Sequence, residues 1–165
     1  MTAILLIPSC SDSPAVTTKN VYSRPPKNLI PKHLISWIAP ENFKKSSPHP
    51  LQEACYLFEG LELSLAFLNE TGGGTLANVN RWREQLQLLP WTNKDLEKNL
   101  SLVTCSLGSG NFLQLSNPTT QQSFLIYQIQ YQQGTWFIKM KGPQSLIQTH
   151  KGDFLAFIET LQPFE

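Results

Sequence analysis

From Leu102 to Met140 the apolar residues recur at alternate positions in four runs separated by short polar connections. The runs are Leu102–Leu107, Phe112–Leu115, Phe124–Tyr131 and Trp136–Met140, and the connections are Gly108-Ser109-Gly110, Asn117-Pro118 and Gln132-Gln133-Gly134. Alternation of this kind is the period of a strand with two distinct faces. Connections this short cannot carry the chain back to a parallel start, so the runs are expected to pair as an antiparallel meander. In the third run Phe124, Ile126, Gln128 and Gln130 share one face, while Leu125, Tyr127, Ile129 and Tyr131 share the other.

Ahead of the meander lie further strand signals. Leu34-Ile35-Ser36-Trp37-Ile38 is β-prone and Ala39-Pro40-Glu41-Asn42 reads as a turn. Leu51–Glu59 and Leu61–Leu68 read as two strands, with Gly60 between them marking a tight hairpin or bulge. The period then changes. Leu76, Val79, Trp82, Leu86 and Leu89 recur at three and four, which predicts a helix over 75–89 with Thr75 as N-cap and Pro90 as its stop. Thr92-Asn93-Lys94-Asp95 has the form of a capping box and opens a second short helix carrying Leu96 and Leu100. Gly142-Pro143 ends the meander, with Pro143 placed to start a helical turn. Over 150–161, Phe154, Phe157, Ile158 and Leu161 define an amphipathic closing helix, against which Trp136 is expected to pack. Strands, helices, strands and a helix in that order predict an α+β fold, an antiparallel β-sheet flanked by helices.

The domain is expected to span 34–165. Before it, residues 11–33 hold Pro14, Pro25, Pro26 and Pro31 among Ser, Thr, Lys and Asn, a composition that buries too little apolar surface to fold and reads as a tether. Residues 1–10 end in Ile7-Pro8-Ser9-Cys10, which resembles the end of a bacterial lipoprotein signal, where an aliphatic residue three places before the cysteine and a small residue just before it mark the cleavage site. That resemblance implies lipid attachment at Cys10. No basic residue precedes the apolar run, so either a full signal begins upstream of Met1 or the match is accidental and this is an ordinary N-terminus. No stretch is long and apolar enough to span a bilayer.

Charge narrows the partners. Only 15% of residues are charged, and the basic ones are uneven. From Ser11 to Pro50 there are six basic residues against two acidic, and from Leu51 onward seven against ten. A basic leader on a mildly acidic body lacks the concentrated basic face of a nucleic-acid binder, whereas a tether of that sign is suited to an anionic lipid surface or simply to solvent.

Chemical motifs are sparse. Gly72-Gly73-Gly74 is not followed by the Lys-Ser or Lys-Thr of a phosphate-binding loop. His33, His49 and His150 show no metal-ligand spacing, no Cys-x-x-Cys occurs, and no nucleophile elbow or zinc-protease helix is present. Neither a metal nor a cofactor is expected, and no catalytic residue is nominated. Glu59, Glu62, Asp95 and Asp153 could meet in space, although nothing in their spacing requires it. Cys55 and Cys105 read as buried thiols, with a disulfide between them open in an oxidising compartment. Trp136 and Lys139 could edge a pocket.

The segment best specified beyond core needs is Leu76-Ala77-Asn78-Val79-Asn80-Arg81-Trp82-Arg83 with its glycine-rich entry. Trp82 falls on the apolar face. Asn80, Arg81 and Arg83 are the candidates for binding a partner or anion; the alternative is that the Asn side chains satisfy loop backbone and the Arg side chains pair with sheet carboxylates. This segment, with Trp37-Ile38-Ala39-Pro40-Glu41-Asn42-Phe43 and Thr135-Trp136-Phe137-Ile138-Lys139-Met140-Lys141-Gly142, resembles uncharacterised bacterial extracytoplasmic proteins and lipoproteins, similar in layout to the PsbP-like fold. The resemblance covers about 37–164. It departs at Gln87-Leu88, where that family usually has Gly-Leu. It implies a non-enzymatic, lipid-anchored domain of the bacterial cell envelope that binds a protein partner in a membrane complex, with no nucleic acid involved. Two other readings stay open: a small-ligand carrier or enzyme using a cleft between helix 75–89 and the sheet, and a cytoplasmic domain unrelated to membranes.

Overall fold

The four alternating runs pair as expected. In a computed structural model, which describes residues 35–69 and 73–164, they become β5 (Ser101–Cys105), β6 (Gly108–Asn117), β7 (Gln122–Tyr131) and β8 (Gly134–Pro143), each antiparallel to the next. Before them come β1 (Ile35–Ser36), β2 (Lys44–Ser46), β3 (Gln52–Phe58), β4 (Leu61–Asn69), α1 (Thr75–Gln85) and α2 (Asn93–Asn99). After them come α3 (Gln144–Thr149), α4 (Lys151–Glu159) and β9 (Gln162–Pro163). The signal-like residues 1–10 with Cys10, the tether 11–33 with His33, and Gly72 lie outside the described residues.

β4 lies against the free side of β8, so the seven-stranded sheet runs β2-β3-β4-β8-β7-β6-β5. The β3–β4 hairpin closes at Glu59-Gly60 with φ of 45° and 89°, the left-handed pair that a two-residue turn needs. The fold is α+β, an antiparallel sheet with helices on both faces. On one face Leu125, Tyr127, Ile129, Ile138 and Met140 pack with Phe154, Phe157, Ile158 and Leu161 of the closing segment. On the other Leu113, Leu115, Phe124, Ile126 and Phe137 pack with Val79, Trp82 and Leu86. Trp136 lies in the first cluster, edge-on to Trp37 at 6.2 Å and against Phe67 at 5.2 Å.

Several boundaries differ from the sequence reading. Gly108-Ser109-Gly110 is not a connection but the start of β6, paired with Val103, Thr104 and Cys105; the turn is Ser106-Leu107. Gly110 is required because a Cβ there would stand 2.5 Å from the Tyr127 ring on the next strand. Among the described residues the early strand is Ile35-Ser36, ending before Trp37 and Ile38, and it pairs with Gln162-Pro163 in a separate two-stranded ribbon. Thr75 is the first helical residue and Gly74 the N-cap. α1 ends at Gln85, four residues before its expected last residue, Leu89. Gln87 turns left-handed at φ 56°, its N–H donates to Glu84 O, and the Leu88 N–H donates to Arg83 O at 2.8 Å. That is the Schellman ending usually built on glycine. Leu89 is consequently 83% exposed rather than core.

Cys55 and Cys105 are free thiols. Four strands separate β3 from β5 in the sheet, and the two cysteines face opposite sides, so the disulfide left open above is not made. No helix among the described residues is long and apolar enough to cross a membrane.

Candidate functional site

α1 follows β4 in sequence and packs on the sheet through Val79, Trp82 and Leu86. Gly73 and Gly74 hold φ of 88° and 84°, values a side chain would strain, so glycine here is conformational necessity. Gly74 offers no side chain as a cap, and the first turn contains no acidic residue. The first N–H groups of the helix are therefore not satisfied by the helix itself.

The polar residues of α1 divide into two sets. Asn78, only 2% exposed, donates from Nδ2 to Gly74 O at 3.0 Å and accepts on Oδ1 from the Arg81 guanidinium at 2.8 Å. These bonds fix the N-terminal turn. Asn80 faces the chain returning from the helix: Nδ2 donates to Trp91 O at 3.0 Å and Oδ1 accepts from Trp91 N at 2.7 Å. Arg83 donates from Nε to Leu89 O at 2.6 Å and lays its guanidinium 4.3 Å over the Trp91 ring. Asn80 and Arg83 thus clamp the 89–91 segment to α1. Among the described residues neither Arg81 nor Arg83 has the sheet carboxylate partner considered from sequence. Of the three candidates, Arg81 stands exposed on the outer face beside Ala77, Glu84 and Gln85. Trp82 is core, edge-on to Phe137 at 5.8 Å.

At the head of α1 lies a cavity of about 420 Å³, bordered by Gly74, Thr75, Asn111, Gln128, Gln130 and Thr135. Its floor is set by register: Gln128 pairs with Asn111 on β6 and Phe137 on β8, and Gln130 with Thr135. The same face that buries Phe124 and Ile126 under the helix thus ends in amides beyond it. Sequence reading placed the two glutamines on that face without identifying a site.

The other polar clusters are occupied by contacts within the fold. Trp37 donates from Nε1 to Tyr56 Oη at 2.9 Å, and Ile38 N donates to Thr160 Oγ1 at 3.1 Å, so the segment from Trp37 to Phe43 is tied at its start to β3 and to the C-cap of α4. His150 does have an acidic partner at i+3, contrary to the sequence expectation: it pairs with Asp153 at 2.7 Å, with Phe58 edge-on to the imidazole. Asp95 completes the α2 capping box with Thr92, whose hydrogen bonds draw its carboxyl below the usual range. Glu59 and Glu62 share the rim of a broad open depression, where Glu62 pairs with Lys141 at 3.0 Å. The four carboxylates considered from sequence therefore form no common site. Trp136 and Lys139 point to opposite faces of β8 and cannot edge one pocket. Burial, then Glu62, pushes the Cys55 thiol upward, which keeps it protonated. Among the described residues no three His, Cys, Asp or Glu side chains converge on a metal position.

No protein-family model matches the sequence, and no curated protein matches it. Solved structures do. One from Bacteroides thetaiotaomicron matches at TM-score 0.51 and 8% identity over 80% of this chain; the chain spans about half of that structure, 46% of its length. Cyanobacterial PsbP (CyanoP) from Synechocystis matches at TM-score 0.54 and 10% identity, covering 79% of this chain and 87% of that one. LpqN of Mycobacterium tuberculosis, described as involved in cell envelope biogenesis, matches at TM-score 0.46 and 12% identity, over 79% and 83%. At such identities the likeness is one of fold, and the fold is PsbP-like.

Proposed function

We propose that the chain is an extracytoplasmic accessory domain of the bacterial cell envelope, held at a membrane through a lipid on Cys10, that binds a protein partner and does not itself catalyse a reaction. The observation that carries this reading is Arg81, a cation exposed at the middle of α1 and steadied by its 2.8 Å bond to Asn78. A guanidinium held in that way is suited to a carboxylate or to peptide carbonyls of a partner. The interface between α1 and the sheet is filled by Val79, Trp82, Leu86 and Phe137, which weighs against a cleft there and for binding at the surface. The PsbP-like fold adds an analogy of architecture, and the signal-like Ile7-Pro8-Ser9-Cys10 supports the address.

Affinity capture from detergent-solubilised membranes tests the reading. The wild-type chain is expected to retain a partner, and Arg81→Ala to lose it with the melting temperature nearly unchanged. Equal retention by the variant counts against the surface. A large fall in melting temperature would instead assign Arg81 to the fold. Mass spectrometry of the mature N-terminus checks the lipid on Cys10 independently.

A further inference from the structure

We propose that the open edge of β5 pairs with β5 of a second copy of this chain, antiparallel about a two-fold axis at Val103, so that two sheets join into one. The proposal is independent of the partner surface around Arg81.

The seven-stranded sheet ends at β2 on one side and at β5 on the other. An open strand is a template for further pairing, and edges are ordinarily guarded by charge, proline or a bulge. β2 is guarded, since it is Lys44-Lys45-Ser46 with both lysines exposed. β5, Ser101-Leu102-Val103-Thr104-Cys105, has no charge, no proline and an unbroken register against β6. Leu102 on this strand is 73% exposed. Its surroundings supply no guard either, for between Lys98 and Lys139 the sequence contains no Asp, Glu, Lys, Arg or His. Among the described residues no strand pairs with the outer side of β5.

The turn decides which backbone groups point outward. Ser106-Leu107 is a two-residue connection, so Cys105 and Gly108 beside it exchange their hydrogen bonds, and alternation assigns Val103 with Gly110 and Ser101 with Phe112 likewise. The N–H and C=O groups of Leu102 and Thr104 therefore face away from β6. These two residues lie symmetrically about Val103. In an antiparallel pairing centred there, Leu102 of each copy opposes Thr104 of the other, and each outward N–H meets an outward C=O. A second copy is thus the occupant that the strand itself specifies.

The side chains agree with that register. Leu102 pairs with Asn111, and Asn111 with Gln128, so Leu102 and Thr104 share the α1 face of the sheet while Val103 packs against the other cluster. Across the axis the isobutyl group of Leu102 covers the Thr104 methyl, and no like charges meet. The same two-fold centred on β2 would set Lys45 against Lys45. Pairing consumes β5 and leaves the lysine-bearing β2 at both ends, so assembly stops at the dimer. A strand of five residues buries little area, and the dimer is expected to be weak, with a dissociation constant of about 100 μM.

The test is sedimentation equilibrium of the full chain, expressed without lipid and kept reduced, from about 10 μM to about 1 mM. Expected is a monomer–dimer equilibrium, with amide exchange at Leu102 and Thr104 slowing as the concentration rises. Leu102→Lys together with Thr104→Lys, both at exposed positions, sets lysine against lysine on each side of the axis and should leave only monomer. Leu102→Lys together with Thr104→Glu sets opposite charges across the same axis and should bring the dimer back. A wild type that stays monomeric throughout overturns the proposal. So does a chain with both lysine substitutions that still dimerises, a Lys–Glu chain that remains monomeric, or growth of the wild type beyond the dimer.

Discussion

Asn80 and Trp91 exchange two hydrogen bonds, side-chain amide to backbone, at 3.0 Å and 2.7 Å. The pair imitates one rung of a ladder and pins the segment after α1 against the helix. Asn80→Ala leaves both backbone groups of Trp91 without these partners and is expected to cost about 1–3 kcal/mol, read as a lower midpoint in urea unfolding with unchanged slope. Asn80→Asp should do no better, since its carboxylate would face Trp91 O. If either variant unfolds like the wild type, the clamp does not hold the fold.

Gly110 and Tyr127 form a second relationship of this kind. A Cβ on Gly110 would stand 2.5 Å from the Tyr127 ring, which donates its hydroxyl to Val103 O at 3.2 Å. The ring cannot retreat without releasing that bond. Gly110→Ala is therefore expected to destabilise by about 1–3 kcal/mol, and the loss should shrink when Tyr127→Leu is already present. Additive losses in a double-mutant cycle would show that the close approach is not the cause.

These two positions also mark where the sequence stops being readable. The strands of the meander, the Thr92–Asp95 capping box and the Phe154–Leu161 face were legible because each is specified by residues a few places apart. Gly108 and Gly110 looked like a turn because their reason lies on another strand. Gln87 hid the end of α1 because its left-handed turn is written in glutamine, not glycine. With α1 read as running to Leu89, the partners of Asn80 and Arg83 at 89–91 could not be foreseen. The cavity at the head of α1 was hidden for a similar reason. Gln128 and Gln130 were placed on the right face, but what stands over them depends on register and on where a helix begins.

Gln87 carries a prediction of its own. At φ 56° a residue with a Cβ is strained, and the side chain is exposed, so little packing is at stake. Gln87→Gly keeps both backbone bonds of the helix ending and relieves the strain, at some cost in unfolded-state entropy. A net gain of about 0.5–1 kcal/mol is expected. Gln87→Val should move the other way. Calorimetry of the three chains decides it, and a glycine variant that melts lower than the wild type refutes the argument.

Lys139 carries a largely buried charge. Its ammonium lies 5.2 Å from the Phe124 ring centre, and burial, then Lys141, draws its pKa below the usual lysine value of 10.5, with Glu62 opposing. Between the lowered value and 10.5 the unfolded chain binds more protons than the folded one, so stability rises with pH across that window. Below the window the full cost of the buried cation is present. Lys139→Met keeps the packed stem and removes the charge. It is expected to melt a few degrees above the wild type near pH 7, and that advantage should narrow as pH climbs through the window. Thermal melts of both chains from about pH 7 to about pH 10 measure it. A methionine variant that melts lower near neutrality, or an advantage that widens with pH, would mean that the ammonium contributes to the fold through a favourable contact.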